Sequence, residues 1–150
     1  MRNIMFRTLF CLGLLTFSAL QAEEILINPS DSSQEQVQEA LILAKPGDTI
    51  KLQAGLYKFT DGLSLDVDNV RLIGEGMDKT ILSFADQLSG AQGLLVTSNK
   101  VVLKDFAIED AKGDALKVIG ADGIYMINLR TEWTGGPKST NGAYGLYPVE

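Results

Sequence analysis

The stretch GLLVTSNKVVLKDFAIEDAKGD, residues 93–114, is followed directly by ALKVIGADGIYMINLRTEW, residues 115–133, and the second is a loose copy of the first. Apolar residues recur at offsets of 22 or 23 residues: Leu94 with Leu116, Val101 with Ile124, and Phe106 with Leu129. Each copy contains three short segments of alternating apolar and polar residues, separated by Ser, Asn, Asp and Gly, which is typical of strands and bends. Repetition at about 20–50 residues indicates a solenoid. Three strands per repeat without a helix between them predict an all-β fold, a right-handed parallel β-helix with three strands in each turn, or rung.

An earlier part of the chain fits the same rung at an offset of 31 residues: Leu63 with Leu94, Val70 with Val101, and Ile50 with Ile81. Rungs stack at about 4.8 Å, so equivalent apolar side chains should form ladders inside the coil. The predicted ladders are Leu63, Leu94, Leu116 and Leu146; Val70, Val101 and Ile124; and Ile81, Phe106 and Leu129. Asp105 and Asn128 occupy equivalent bends, where we expect their side chains to bond the turn backbone.

Residues 1–22 have the pattern of an export signal. Arg2 and Arg7 form a basic start, FCLGLLTF at residues 10–17 is a short apolar core, and Ala22 is a small residue suited to cleavage. The apolar run is too short to span a bilayer. We therefore expect an exported protein, periplasmic or extracellular, that has no membrane anchor after cleavage.

The formal net charge of −6 argues against nucleic acid as a partner. The sequence contains no His, which excludes a Ser-His-Asp triad, a His general base and a His-ligated metal within these residues. The single cysteine, Cys11, lies in the predicted signal, so stability must come from stacking of rungs. No motif indicates a cofactor or a metal.

A helix is predicted before the rungs. Its apolar stripe consists of Val37, Ala40, Leu41 and Ala44. Ser32 with Glu35, or Ser33 with Gln36, fits a capping box, and Lys45–Asp48 ends the helix. The expected organisation is a signal at 1–22, a strand and capping helix at 23–48, and rungs at 49–150, with the helix closing one end of the coil.

Two insertions, residues 85–92 and 134–143, both fall between the third strand of one rung and the first strand of the next. They should therefore emerge on one side of the coil, where insertions in repeat proteins often form a binding face. An aromatic ring beside a cation and an amide suits a sugar, since the ring packs on the pyranose and the polar groups bind hydroxyls or a carboxylate. The candidate substrate-binding residues are Trp133, Lys138, Asn141 and Tyr144. The alternative for Trp133 is that it simply covers the end of an apolar ladder.

The candidate catalytic residues are Glu109, Arg130 and Glu132, predicted to stack on neighbouring rungs. Paired carboxylates can supply an acid or bind calcium, and Arg130 can neutralise a uronate or an enolate-like charge. Asp110 and Asp114 border a short bend and could add oxygen ligands to such a calcium site. The alternative is a solvated face with a local Arg–Glu ion pair, and exposed loop acids.

VQEALILAKPGDTIKLQAGLYKF, residues 37–59, resembles the first segment of the pectate-lyase-like right-handed β-helix superfamily. There a helix leads into a Pro-Gly-Asp-Thr bend, a strand and a Gly-x-Tyr corner. The later rungs and residues 133–150, WTGGPKSTNGAYGLYPVE, resemble a group of secreted bacterial parallel β-helix repeat proteins without an assigned activity. The resemblance implies the fold and further rungs beyond Glu150. It does not imply one chemistry, because the superfamily includes lyases, hydrolases, epimerases, esterases and non-enzymes.

Two functions follow as expectations. The first is an exported β-helix protein that binds polysaccharide or another extracytoplasmic partner. The alternative is a carbohydrate-active enzyme, namely a polysaccharide lyase, C5-epimerase or hydrolase acting on an acidic glycan. The absence of His and the scarcity of Arg favour the first, because elimination needs a strong base near a cation.

Overall fold

The computed structural model describes residues 21–150. Residues 1–20, which contain most of the predicted signal peptide, lie outside the described residues. The elements are β1 (Glu24–Ile27), α1 (Ser33–Leu43), β2 (Thr49–Leu52), β3 (Gly55–Lys58), β4 (Leu63–Leu65), β5 (Arg71–Ile73), β6 (Thr80–Ser83), β7 (Gln92–Val96), β8 (Val102–Glu109), β9 (Asp114–Ile119), β10 (Tyr125–Glu132) and β11 (Leu146–Val149).

The strands form three parallel faces of a coil. The first face contains β4, β7, β9 and β11. The second face contains β1, β2, β5 and the first halves of β8 and β10, and the third contains β3, β6 and their second halves. The chain visits the second, third and first faces in turn on every rung. This topology confirms the predicted all-β, right-handed parallel β-helix with three strands per rung.

Two of the three predicted ladders are present. Leu63, Leu94, Leu116 and Leu146 are successive register partners on the first face. On the second face, the backbone N–H of Val102 donates to Val70 O at 3.1 Å and that of Tyr125 to Val101 O at 2.9 Å. These bonds stack Val70, Val101 and Ile124, and the first two are fully buried.

The third predicted ladder is wrong at Ile81. Ile81 pairs with Ala107, and its neighbour Leu82 is the buried residue, paired with Ile108. The offset that related Ile50 to Ile81 also fails, because Ile50 pairs with Leu72. The physical reason is the corner between the second and third faces: residues 74–79 make this corner before β6, whereas Asp105 alone makes it within β8.

Asp105 and Asn128 make this corner with left-handed backbone angles, φ 60° and 49°. Such angles favour Asn, Asp and Gly. The two side chains were predicted to bond the turn backbone. Instead they bond each other, since Asn128 Nδ2 donates to Asp105 Oδ1 at 2.9 Å. On the rung below, a Cβ on Gly74 would lie 2.2 Å from Asp105 O, so close stacking at this position requires glycine.

Helix α1 closes one end of the coil, and its predicted stripe of Val37, Ala40, Leu41 and Ala44 is buried. The predicted Ser32 capping box is absent, because Ser32 makes no side-chain cap. Ser33 is buried instead, and its hydroxyl accepts from Ser30 N at 2.9 Å and donates to Ser30 O at 2.7 Å. In the part of the chain described, no helix is long and apolar enough to cross a membrane.

Candidate functional site

A cavity of about 410 Å³ lies at the corner between the third and first faces, where both insertions begin or end. A Cβ on Gly113 would lie 1.6 Å from Ala91 O, and one on Gly142 would lie 1.6 Å from Gly113 O. Three consecutive rungs therefore stack tightly here, and the two insertions share one flank. The lining residues are Ala85, Asp110, Ala111, Lys112, Trp133, Thr134, Gly135, Lys138, Thr140 and Asn141.

Trp133 forms the apolar wall of the cavity. It is half-buried and packs against the core of the coil. Its indole N–H donates to Ala111 O on the rung below at 2.7 Å, which fixes the orientation of the ring. The N–H is thus already used, and the remaining exposed part of the ring is available for apolar contact.

The insertion that follows Trp133 is held by its own bonds. Asn141 Nδ2 donates to Gly136 O at 2.9 Å, and Asn141 N donates to Lys138 O at 3.1 Å. The Asn141 side-chain oxygen remains as an acceptor on the cavity wall. The Lys138 ammonium lies directly over Gly135, 2.6 Å from where a Cβ of that residue would be.

Lys112 and Asp110 also line this cavity. From the sequence, Asp110 is expected as a calcium ligand or as an exposed loop acid, and Lys112 is not among the candidate residues. Both Asp110 carboxylate oxygens accept from Thr134, at 2.8 Å from its N and 2.7 Å from its Oγ1, so Asp110 anchors the start of the insertion. Lys112 was detectable from the sequence, because it lies in the bend between third and first faces that both insertions lengthen.

Tyr144 lies outside this cavity, contrary to its grouping with the other three candidate residues. Its ring stacks on Tyr147, with centroids 4.5 Å apart and 16° between the planes. The Lys117 ammonium lies 5.2 Å from the centroid of the Tyr147 ring. Tyr144 therefore belongs to the outer surface of the first face.

Glu109, Arg130 and Glu132 lie together on the outer surface of the third face. Glu109 and Glu132 are register partners on β8 and β10. Arg130 Nη2 donates to Glu109 Oε1 at 2.8 Å, and Nη1 donates to Glu132 Oε2. The same guanidinium reaches the rung below β8, where Nη2 contacts Met77 O at 3.2 Å and Nε lies 3.5 Å from Asp78 Oδ1.

This arrangement neutralises the charge of Arg130. Burial by itself would lower the pKa of Arg130, but the hydrogen bond and charge of Glu109, followed by those of Glu132, outweigh it and raise the pKa. A guanidinium already held by its own carboxylates has little attraction left for a substrate carboxylate. The cluster therefore joins three rungs through Arg130, whereas the alternative given for these residues was a solvated face with a local Arg–Glu ion pair.

No group of three or more Asp, Glu, His or Cys side chains within residues 21–150 is arranged to hold a metal ion. Asp114, the second suggested calcium ligand, begins β9 and pairs with Gln92.

Together, these features define a right-handed parallel β-helix with an amphipathic cavity on its insertion flank. No family model matches the chain, and no curated protein matches it. Among solved structures, the chain is similar to a PL6 family alginate lyase, AlyGC, with a TM-score of 0.61 and 16% sequence identity. The match covers 86% of this chain and 18% of the lyase chain, so this chain spans less than a fifth of that structure. At this identity the likeness concerns the fold.

Proposed function

We propose that this chain is part of an exported carbohydrate-active protein, and that the Trp133 cavity binds a uronate unit of an acidic polysaccharide. The observation that carries the proposal is the position of Lys112 and Lys138 beside a fixed indole ring. Neither ammonium makes a salt bridge with any residue from 21 to 150, in contrast to Arg130. Alginate, for which the similar lyase is named, is an acidic polysaccharide and supports this substrate class.

Each part of the cavity has a function in this proposal. The Trp133 ring packs against the apolar face of the pyranose. Lys112 and Lys138 attract the carboxylate, and the Asn141 oxygen accepts from a hydroxyl group. A cavity of about 410 Å³ is within the usual range for small-molecule sites and suits one or two sugar units.

A binding experiment with charge-matched variants tests the proposal. We expect Lys138→Gln to weaken alginate binding two- to fivefold, since an exposed ion pair contributes about 0.5–1 kcal/mol. The control is Lys58→Gln. It removes the same charge from an exposed position at the end of β3, away from the cavity. Calorimetric titration with alginate, polygalacturonate and a neutral dextran measures both effects. Equal affinities of the two variants, or equal binding of dextran, would contradict the proposal.

The likeness to an alginate lyase favours a catalytic version of this function over a purely binding module. In a lyase, a base removes the C5 proton of the uronate, the C4–O bond breaks, a C4=C5 double bond forms, and the leaving oxygen takes a proton. A cation must stabilise the carboxylate as charge develops beside it. Since Arg130 is neutralised, Lys112 and Lys138 are the cations in these residues that are suited to this role.

The catalytic version is tested by ultraviolet absorbance of unsaturated uronates released from alginate and pectin, with and without calcium. A lyase should produce this absorbance, and Lys138→Gln should reduce its rate without changing the melting temperature. Alginate binding without unsaturated product, and without epimerised or hydrolysed product by NMR, would contradict the catalytic version. The non-catalytic binding module would then be retained.

A further inference from the structure

Asp48 is an almost completely buried acid, with 3% of its surface exposed. Its Oδ1 accepts from Glu23 N at 2.8 Å, and its Oδ2 accepts from Lys45 N at 2.8 Å. These two hydrogen bonds hold the pKa of Asp48 below its ordinary value, so the side chain is ionised at neutral pH. No ion pair to Asp48 is present between residues 21 and 150, although buried carboxylates are usually paired.

The donor on Oδ1 has a particular position in the chain. Glu23 immediately follows Ala22, where the signal-peptide pattern predicts cleavage. From Glu23 onward the backbone is tied to the coil, because Thr49 N donates to Glu23 O at 2.8 Å and Glu24 pairs with Thr49. The side chains of Ala22 and Glu23 are both exposed.

We propose that the export signal is removed between Ala22 and Glu23, and that Asp48 is the binding site for the new amino terminus. Water hydrolyses this peptide bond, the leader departs with the Ala22 carboxylate, and the Glu23 nitrogen becomes an α-ammonium group. The charge then appears 2.8 Å from Asp48 Oδ1 and gives the buried carboxylate an oppositely charged partner. This inference does not depend on the polysaccharide site.

The ion pair should change the titration of the amino terminus. Other charged groups around this point are Lys45, Arg71, the Glu23 carboxylate and the Glu24–Lys51 pair, in which the charged atoms are 3.9 Å apart. The contact with Asp48 should raise the α-amino pKa above its ordinary value of about 7.7–8.0. Its stabilisation is then complete below that value and is lost as pH rises through the folded pKa.

The test begins with export of the 150-residue chain from a bacterial host. Intact mass and amino-terminal sequencing should identify Glu23 as the first residue. The α-amine pKa is then measured from the pH dependence of its acetylation rate, in native protein and in urea. We expect a higher pKa in the native protein, with acetylation about tenfold slower for each unit of increase.

Asp48→Asn should remove the difference between native and unfolded protein, whereas Asp66→Asn, at an exposed acid elsewhere, should preserve it. If Asp48→Asn does not fold, the comparison of native with urea-unfolded wild type still decides. A first residue other than Glu23, an uncleaved chain, or the same α-amine pKa in both states would overturn the proposal.

Discussion

The polar side chains inside this coil act mainly on backbone groups. The Tyr57 side chain is completely buried, and its hydroxyl lies 2.8 Å from Ile27 O and 3.0 Å from Gln53 O. It thereby joins β3 to the ends of β1 and β2. Leaving a buried carbonyl without such a donor costs free energy. The Tyr57 hydroxyl therefore contributes to the stability of the fold.

Tyr57 should lose its proton at a higher pH than an ordinary tyrosine. Burial raises the pKa of Tyr57 to about 12. Because the native state holds this proton more tightly, the resulting stability is present below the ordinary pKa of 10.0 and is lost as pH rises from there towards 12. Tyrosinate absorbance should show one of four residues ionising late, together with unfolding, and Tyr57→Phe should remove that step. Loss of a step near pH 10.0 in Tyr57→Phe, and not of the late step, would contradict this prediction.

Arg130 should also contribute measurably to the stability of the fold. Its side chain is 27% exposed and that of Glu109 is 15% exposed, so Arg130→Ala leaves a mostly buried carboxylate without its partner. We expect a loss of about 1–3 kcal/mol in the free energy of unfolding, measured by urea denaturation. Lys104→Ala serves as the control, because the Lys104–Asp105 pair at 3.4 Å is more exposed. Equal losses of stability in Arg130→Ala and Lys104→Ala would contradict the role of Arg130 in joining rungs.

At the scale of elements, α1 protects one end of the coil because its side chains bond the backbone groups that a neighbouring strand would otherwise bond. Gln38 Nε2 donates to Ser64 O at 3.1 Å, and Gln38 Oε1 accepts from Ser64 N at 3.0 Å. Gln34 Oε1 accepts from the backbone of Thr60 and Asp61 at 3.1 and 3.0 Å. Two glutamines one helical turn apart thus bond the backbone of β4 and of the residues just before it, an edge that would otherwise be open to another strand.

We expect Gln38→Ala to lower the free energy of unfolding by about 0.5–1.5 kcal/mol, because the N–H and C=O groups of Ser64 would then bond water and not the Gln38 side chain. Glu39→Ala is the matched control, since Glu39 is the adjacent exposed residue of the same helix and similar in helix propensity. It should change stability by less than about 0.5 kcal/mol. Thermal denaturation of both variants measures the difference, and an equal effect would refute the capping role.

At the scale of the whole molecule, stability is distributed along the coil because each rung contacts only its neighbours. β7 is paired on both sides, by β4 and β9, and its inward residues Leu94 and Val96 are fully buried. β11 pairs only with β9 among the described strands, and its residues are half-buried or exposed.

Hydrogen exchange should therefore follow position along the coil. Amides of β7 and the first half of β8 should be the most protected, and those of β11 the least, because opening a terminal strand breaks one ladder and not two. Exchange of the 150-residue chain followed by mass spectrometry gives this profile. Uniform protection from β1 to β11 would indicate a single cooperative unit and contradict the prediction.

The cavity belongs to this scale as well, because its walls come from three rungs. Ala85, Lys112 and Trp133 lie in successive connections from the third to the first face. The sequence predicted the shared flank of the insertions from their equivalent places in the repeat. It did not predict that Tyr144 lies on the outer surface with Tyr147, because Tyr144 precedes β11 and its position follows from ring stacking on Tyr147, which the repeat spacing does not encode.

The sequence alone determined the period, the alternation, the helix stripe and therefore the parallel β-helix, because these signals are local and are repeated from rung to rung. Only the tertiary structure decided the alignment of Ile81, the contacts of Arg130 with Met77 and Asp78, and the contact of Asp48 with Glu23. Each of these joins residues separated by more than twenty positions, or depends on how many residues a corner takes up. Corner length sets which side chains meet across rungs, and no local pattern encodes it.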